Sequence, residues 1–451
     1  MRKRISAFFS VLAAIVLLTV PASAASSGST LKIICADAGQ VIFTPPGSTQ
    51  YAYRYGPAIL IDGDRIDIWA SAPPLVSNGV RYGNDSIEYI RSTDGGKTWT
   101  EWKTVLYPTL NSEDQWSTCD PGAFKYGDYY YVGYTGSPEF RTNPDKEKQV
   151  NNLFIARAKN PEGPYEKWNG NGWGGDPYAI TRYSGDGVGC SMPSFTVKGD
   201  TLYMYYVDQT HPDQDWNSEG NISVSTFSLK DPNWPGNELS NKMCENKPEE
   251  VRYCPDIDKF IGFQLKGGWD YDSYVEIYES TDGVNFTKTS SFRNNFPHYA
   301  HNIGISGNNL GQLDLSIQNY IGTAYTPTGV EAWWGHWHTQ LIPLYIREEQ
   351  PSPTTSSQPS GSTDSSSQKP TTSSVGSTDG ESSETEVSEP QNSNIESTVS
   401  DDKDKDKEVN NKTEQQEETS YLWLYIVIGA VVVLAGAGTA VYFLVIKKKH
   451  V

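Results

Sequence analysis

The chain has 451 residues, with 55 acidic against 36 basic side chains and a formal net charge of -19. That balance excludes nucleic acid as a partner, because phosphate backbones are bound by basic surfaces. Five cysteines are too few and unevenly numbered for a disulfide framework, although Cys244 and Cys254 lie near enough in sequence to bridge locally, and no spacing resembles a zinc site.

In chain order, residues 1–24 read as a secretory signal peptide. Arg2, Lys3 and Arg4 precede an apolar run from Ala7 to Val20, and Ala22-Ser23-Ala24 supplies the small-residue exit. Residues 31–347 then carry an internal repeat: a proline, five residues, and Gly-Asp. It occurs as Pro57 with Gly63-Asp64, Pro121 with Gly127-Asp128, and Pro193 with Gly199-Asp200. Each unit predicts a strand from the proline, a hairpin turn in which glycine supplies positive φ, and a second strand rich in aromatic and β-branched residues. Repeats of about 45–65 residues built from hairpins predict propeller blades, and five units can be counted.

The first blade adds a third strand at Ser86–Ile90, followed by Ser92-Thr93-Asp94-Gly95-Gly96-Lys97-Thr98-Trp99, which matches the Asp-box pattern S-x-D-x-G-x-T-W. This is a structural turn: the carboxylate accepts backbone N–H bonds and the tryptophan plugs the blade's edge. The second blade has Asn152–Ala156 as its third strand, and the third has Ile222–Ser225. In the fourth, Pro255-Asp256 opens the blade and Ser280–Phe286 is a degraded Asp box; in the fifth, His301 takes the proline's place and Gly307-Asn308 the turn. Trp333, Trp334 and Trp337 close the ring or line the pocket, with closure preferred.

Residues 348–420 are Ser, Thr, Pro and acidic, with almost nothing apolar to bury, and read as a disordered stalk reaching on the order of 45 Å. Residues 421–446 are apolar and uncharged, long enough to cross a bilayer, and Lys447, Lys448 and Lys449 begin a basic tail at 447–451. The expected architecture is an all-β five-bladed propeller ectodomain on a stalk, anchored at the cell surface by one C-terminal transmembrane helix.

Asp120-Pro121-Gly122-Ala123-Phe124-Lys125 with Tyr129-Tyr130-Tyr131, Ala156-Arg157-Ala158 with Asn160-Pro161-Glu162-Gly163-Pro164, and Pro193-Ser194-Phe195 with Tyr203–Tyr206 resemble the five-bladed β-propeller glycoside hydrolases, the group of arabinanases, β-xylosidases and invertase-like enzymes. Tyr53-Arg54 and the Asp box also resemble sialidases, a six-bladed family. The first resemblance implies an Asp base at one strand mouth, a Glu acid at a later one, a further Asp tuning the acid, and a poly- or oligosaccharide substrate. Asp120 matches the base, whereas Gly56, Met192, Cys254 and Ala300 precede the other predicted mouths and depart from the pattern. No cofactor is implied beyond a structural calcium near the axis.

Strand direction extends the search. If inner strands start on the pocket face, Asp64, Asp128 and Asp200 are far-face turn residues, and Asp85, Asp120, Asp186, Asp208, Glu219, Asp270 and Asp272 are rim carboxylates. Glycoside cleavage needs a carboxylic acid and a carboxylate together. Asp186 and Asp208 are the candidates for acid or tuning group, and Asp85 is a further catalytic candidate; solvated loop aspartates are the alternative for each. For substrate contact, Arg54 suits an acidic sugar or a structural ion pair, Trp116 and Trp269 suit stacking on a sugar or blade packing, and His301 suits a ligand contact or a core histidine. The readings carried forward are a surface-anchored glycoside hydrolase, a non-catalytic carbohydrate-binding propeller or adhesin, and a sialidase-type enzyme.

Overall fold

The computed structural model describes residues 29–47, 52–138, 140–143, 146–183, 188–210, 220–328 and 335–349. The expected signal peptide, the membrane segment, the basic tail and the stalk beyond Glu349 lie outside them. Among the described residues no helix is long and apolar enough to cross a membrane.

The described chain is all strand and loop. It opens with β1 (Thr30–Cys35) and β2 (Gln40–Phe43). Blade 1 is β3 (Tyr55–Asp62), β4 (Arg65–Ala72), β7 (Ser86–Ser92) and β8 (Lys103–Leu106), with a small hairpin of β5 (Leu75–Ser77) and β6 (Val80–Tyr82) inserted on its second loop. Blade 2 is β9 (Ser117–Tyr126), β10 (Tyr129–Ser137), β13 (Asn152–Ala158) and β14 (Glu166–Lys167), and carries a second inserted hairpin, β11 (Phe140–Asn143) with β12 (Lys146–Gln149). Blade 3 is β15 (Gly189–Lys198), β16 (Thr201–Gln209), β17 (Asn221–Ser228) and β18 (Glu238–Met243). Blade 4 is β19 (Glu250–Cys254), β20 (Lys259–Lys266), β21 (Tyr274–Ser280) and β22 (Thr287–Phe292). Blade 5 is β23 (Ala300–Gly307), β24 (Asn319–Tyr325) and β25 (His338–Glu349), and its outermost strand is β1, paired antiparallel to β25 from Thr30↔Glu349 to Cys35↔Leu344. The first strand thus zips onto the last blade, so the two ends of the domain hold the ring shut.

The inner strands meet in sequence around an axis: β3 against β9, β9 against β15, β15 against β19, β19 against β23, and β23 back against β3. That last contact is a short parallel ladder, Ser306↔Ile59 and Gly307↔Leu60. Each seam has its own core. Trp69, Tyr89 and Tyr130 fill the seam of blades 1 and 2, Phe124, Phe195 and Trp234 that of 2 and 3, and Tyr205, Phe260 and Phe286 that of 3 and 4. Phe263, Ile277 and Ile305 fill the seam of 4 and 5, and Ile59, Ile68 and Leu341 that of 5 and 1. Blade packing is the sheet-on-sheet solution to one apolar face per sheet, closed into a circle.

The three Gly-Asp turns are two-residue hairpins, between Asp62↔Arg65, Tyr126↔Tyr129 and Lys198↔Thr201. At the opposite end of the same strands the prolines mark bulges. Gly56-Pro57 sits between pairs Tyr55↔Ser71 and Ala58↔Trp69, Asp120-Pro121 between Cys119↔Thr135 and Gly122↔Gly133, and Met192-Pro193 between Ser191↔Val207 and Ser194↔Tyr205. One residue is extra in each, and proline's missing N–H costs no ladder bond there.

Two sequence-based alignments need correction. In blade 5 the extra residue is Asn302, between His301↔Ala324 and Ile303↔Thr323, so Ile303 rather than His301 stands in the proline's place. In blade 4, Pro255-Asp256 lies in the β19–β20 turn on the far face, so the mouth of that inner strand is Pro248-Glu249-Glu250. Neither Cys254 nor Ala300 is therefore a mouth residue. The local Cys244–Cys254 bridge that the spacing allowed is not formed: both thiols are free, and they sit in different seam cores.

Gly307-Asn308 is not a hairpin turn but the start of a longer connection to β24. That loop crosses the far end of the axis and binds four inner strands. Asn309 Nδ2 donates to Asp62 Oδ2 at 3.2 Å, Asn309 O accepts from Lys125 N, Leu310 O accepts from Val197 N at 3.0 Å, and Leu313 N donates to Tyr253 O at 2.9 Å. The ring is therefore laced by this loop on the face opposite the bulges.

Inner strands approach at glycine. A Cβ on Gly304 would lie 1.6 Å from Pro57 O, and one on Gly122 would lie 1.9 Å from Pro193 O, both rigid backbone atoms. Gly304→Ala is expected to destabilise the domain by about 1–3 kcal/mol or more, read as a fall of several degrees in the thermal midpoint. Gly172→Ala, where nothing lies within 4 Å of the added atom, should leave that midpoint nearly unchanged.

Candidate active site

The bulges aim side chains at the axis. Gly56, Asp120, Met192 and Asn302 all have left-handed backbones, with φ of 58°, 47°, 56° and 57°. Three of these are not glycine, and a left-handed conformation costs such residues energy that the surrounding structure must offset. What is held in place is a tight axial group. Asn302 Nδ2 donates to Asp120 Oδ1 at 3.3 Å and lies 4.0 Å from Met192 Sδ. The space beside Gly56 adjoins Asp120 Oδ1, 3.6 Å from where a Cβ would sit.

Asp120 is fixed from both sides. Its backbone N donates to Ser71 Oγ at 2.7 Å, and its carboxylate accepts from Thr135 and from Cys119 Sγ. Thr135 Oγ1 in turn accepts from Met192 N at 2.9 Å, coupling the mouths of blades 2 and 3. Burial among these walls pushes the Asp120 carboxyl up to about 6, the nearby Asp85 carboxylate adding to the rise and the hydrogen bonds opposing it.

Asp85 supports this group from behind. Only 4% exposed, it accepts from Tyr53 Oη at 2.5 Å, Ser117 Oγ at 2.8 Å and Asn84 Nδ2 at 3.2 Å. Burial raises its pKa against those bonds. The expectation of a rim position is corrected for Asp85: it is buried behind Asp120, and its charge raises the Asp120 carboxyl. Asp208 lies at the pocket-face end of β16, where Ser223 Oγ and Thr210 N donate to it at 3.1 and 3.2 Å. Asp186 and Glu219 lie outside the described residues, as do Trp333 and Trp334.

The blade-4 mouth brings two carboxylates that sequence reasoning missed. Glu250 Oε2 accepts from Ser194 Oγ at 3.1 Å and pairs with Arg252 at 2.8 Å. Arg252, 5% exposed, spans three blades: Nη1 donates to Ser194 Oγ at 2.7 Å, and Nε and Nη2 donate to Ile305 O at 3.1 and 2.5 Å. Glu249 accepts from Leu265 N at 2.7 Å. Asn302 was missed as well, yet Asn302-Ile303-Gly304 repeats Asp120-Pro121-Gly122 in spacing and glycine, a signal that could have found it.

The proposed binding residues divide. For Arg54 the structural ion pair is the alternative realised: its guanidinium pairs with Glu88 at 2.5 Å and lies over Phe43, 4.5 Å from the ring centroid. Trp116 sits on the lead into β9, half-buried, its N bonded to Ser137 O and its O to Asn84 N. His301 is packed among rings, 4.3 Å from Trp337, 4.4 Å from Trp269 and 5.4 Å from Tyr55, and burial pushes its pKa down to about 3. Calcium takes six or more oxygen ligands. Among the described residues no group of three or more His, Cys, Asp or Glu is placed to hold a metal ion. Trp337, fully buried, seals the seam between blades 5 and 1.

The Asp boxes are far-face turns. Asp94 accepts from Thr98 N and Oγ1 at 2.9 and 2.6 Å and from Ser92 Oγ at 2.8 Å, bonds that hold its carboxyl down at about 2. The degraded copy keeps the plan, with Asp282 accepting from Asn285 and Val284 N.

No protein-family model and no curated protein matches this chain. Solved structures of similar shape include an alpha-L-arabinofuranosidase from Podospora anserina in complex with cellotriose, 11% identical at a TM-score of 0.44, covering 72% of this chain and 99% of its own. A thermostable family-43 glycoside hydrolase is 14% identical at 0.47, over 71% and 98%. A family-117 glycoside hydrolase from Zobellia galactanivorans is 14% identical at 0.45, over 71% and 91%.

A carboxyl whose pKa rises on folding, here from 3.8 to about 6, favours the fold fully below the unfolded value and loses that stability as pH climbs through the folded one. Asp120→Asn is therefore expected to raise the denaturation midpoint at pH 7 relative to the parent. The difference should vanish by pH 4, as followed by thermal melts across that range.

Proposed function

We propose that this chain is a glycoside hydrolase that cleaves a polysaccharide or oligosaccharide in the axial pocket, with Asp120 as general base. The observation that carries the reading is the left-handed, half-buried Asp120, hydrogen-bonded to Asn302 across the ring and with its carboxyl raised to about 6. A carboxylate with a pKa near the working pH is a stronger base than an ordinary aspartate and is still ionised above that pH. Asn302 and Thr135 orient it, and Asp85 raises its basicity through space. The acid in this reading comes from the blade-4 mouth, Glu249 or Glu250, and burial raises the Glu250 carboxyl against its pairing with Arg252. The motif resemblance likewise implies a Glu at a mouth later than the Asp. The N-terminal apolar leader and the apolar segment at 421–446 with its lysines support export and anchoring at a cell surface.

A second reading, a glycan-binding propeller without turnover, is favoured by one feature: Gly56, Met192 and Asn302 occupy bulges where carboxylates would complete a catalytic set. The sialidase-type reading is less favoured, because Arg54 and Arg252 are paired with Glu88 and Glu250.

Screening against nitrophenyl glycosides and plant polysaccharides tests turnover. On a cleaved substrate, kcat/KM is expected to fall as pH drops through about 6, and Asp120→Asn should lower kcat by about 10²–10⁴-fold with the fold intact. Activity that instead rises below pH 6 would make Asp120 the acid, and activity kept within a few fold would remove it from the mechanism. Binding without turnover selects the second reading.

A further inference from the structure

An aromatic ledge leads outward from the axis across the pocket face of blades 4 and 5. It begins at Asn302, bonded to Asp120, and passes to the adjacent His301, whose ring lies 4.4 Å from that of Trp269. Trp269 is 38% exposed, and its backbone is left-handed at φ 71°, an unusual state for so bulky a residue. Trp269 N donates to Ala300 O at 2.9 Å, and Tyr299 N to Asp270 O at 2.9 Å, so this strained loop is clamped rather than loose. Two residues on, Tyr271 is 50% exposed, and one face of its ring is stacked on His298 at 3.8 Å and 17°. Tyr299 meets the ring edge-on at 5.8 Å, and half of the Tyr271 surface stays exposed beside these contacts. The two Cα atoms are at most about 7 Å apart, the scale of neighbouring rings in a glycan.

Charge narrows the ligand. Asp270 and Asp272 flank the ledge and are exposed. Lys266 ends β20 just before the ledge, and a second cation, Arg293, is turned to the carbonyls of Phe296 and Tyr271 and to the His298 ring. We propose that Trp269 and Tyr271 form consecutive subsites continuous with the axial pocket, which take the next residues of a neutral glycan chain. The inference rests on the glycan reading of the axis. It makes the natural substrate a polymer segment without acidic sugars rather than a small glycoside: rings stack on the apolar faces of neutral sugars, while uronates meet two carboxylates.

The test is calorimetric titration of the full chain carrying Asp120→Asn, so that ligands survive. The probes are arabino- and xylo-oligosaccharides from disaccharide to hexasaccharide, with oligogalacturonides of the same lengths. Affinity is expected to tighten with length in a neutral series and not in the acidic one. Tyr271→Ala should remove about 3- to 10-fold of that gain, and Tyr271→Phe should keep it. Affinity independent of length, an equal gain with oligogalacturonides, or an undiminished gain in Tyr271→Ala overturns the proposal. Length-dependent binding lost in Tyr271→Ala, in a protein whose parent cleaves none of these sugars, sinks the catalytic reading and leaves the ledge standing.

Discussion

The structure turns on a one-residue bulge near the start of four of the five inner strands, those of blades 1, 2, 3 and 5. An extra residue there cannot continue the ladder, so its backbone flips into the left-handed region and its side chain swings toward the axis. Two residues later the strand passes so close to its neighbour that only glycine fits at Gly122 and Gly304. Close approach of the strands and projection of the bulge residue are thus one device. The first makes the ring small, and the second fills its mouth with Asp120, Met192 and Asn302.

Below that mouth the channel is braced. Arg252 ties Ser194, Glu250 and Ile305, one strand from each of three blades, and the loop after Gly307 laces the far ends of four inner strands. Breaking either partner of a buried ion pair leaves an uncompensated charge, so such a strut resists sliding of one blade past the next. A rigid floor is what a catalytic carboxyl needs, since its pKa depends on walls that do not relax around the charged form. The left-handed strain and the raised pKa of Asp120 both cost stability, offset by the aromatic seams and by the β1–β25 zipper.

Repeat units and their turns were legible from local chemistry. Gly-Asp between apolar alternations marks a two-residue hairpin, and Ser92-Thr93-Asp94-Gly95 specifies its own bonds within a few residues. Asp120 was found because proline follows it. The fourth and fifth mouths were misaligned for the same reason: Pro255 lies in a far-face turn, and Asn302 is followed by isoleucine, so proline misled in one blade and was missing from the other. Arg54 and Asp85 lie at the predicted distance from a mouth, but their partners Glu88, Tyr53 and Ser117 are set by strand pairing and seam packing, which no local pattern displays.

Period, turn residues and composition therefore determined on their own that this is a chain of antiparallel hairpin units with an acidic balance, and that Asp120 heads one of them. Only the closed ring decided that Asn302 faces Asp120 from 182 positions away, that Glu249 and Glu250 stand at a mouth, and that β1 completes the last blade. The reason is physical. Hairpins are encoded by neighbours in sequence, whereas closure, burial and the pKa of an axial carboxyl are set by surfaces that meet only when every blade is in place.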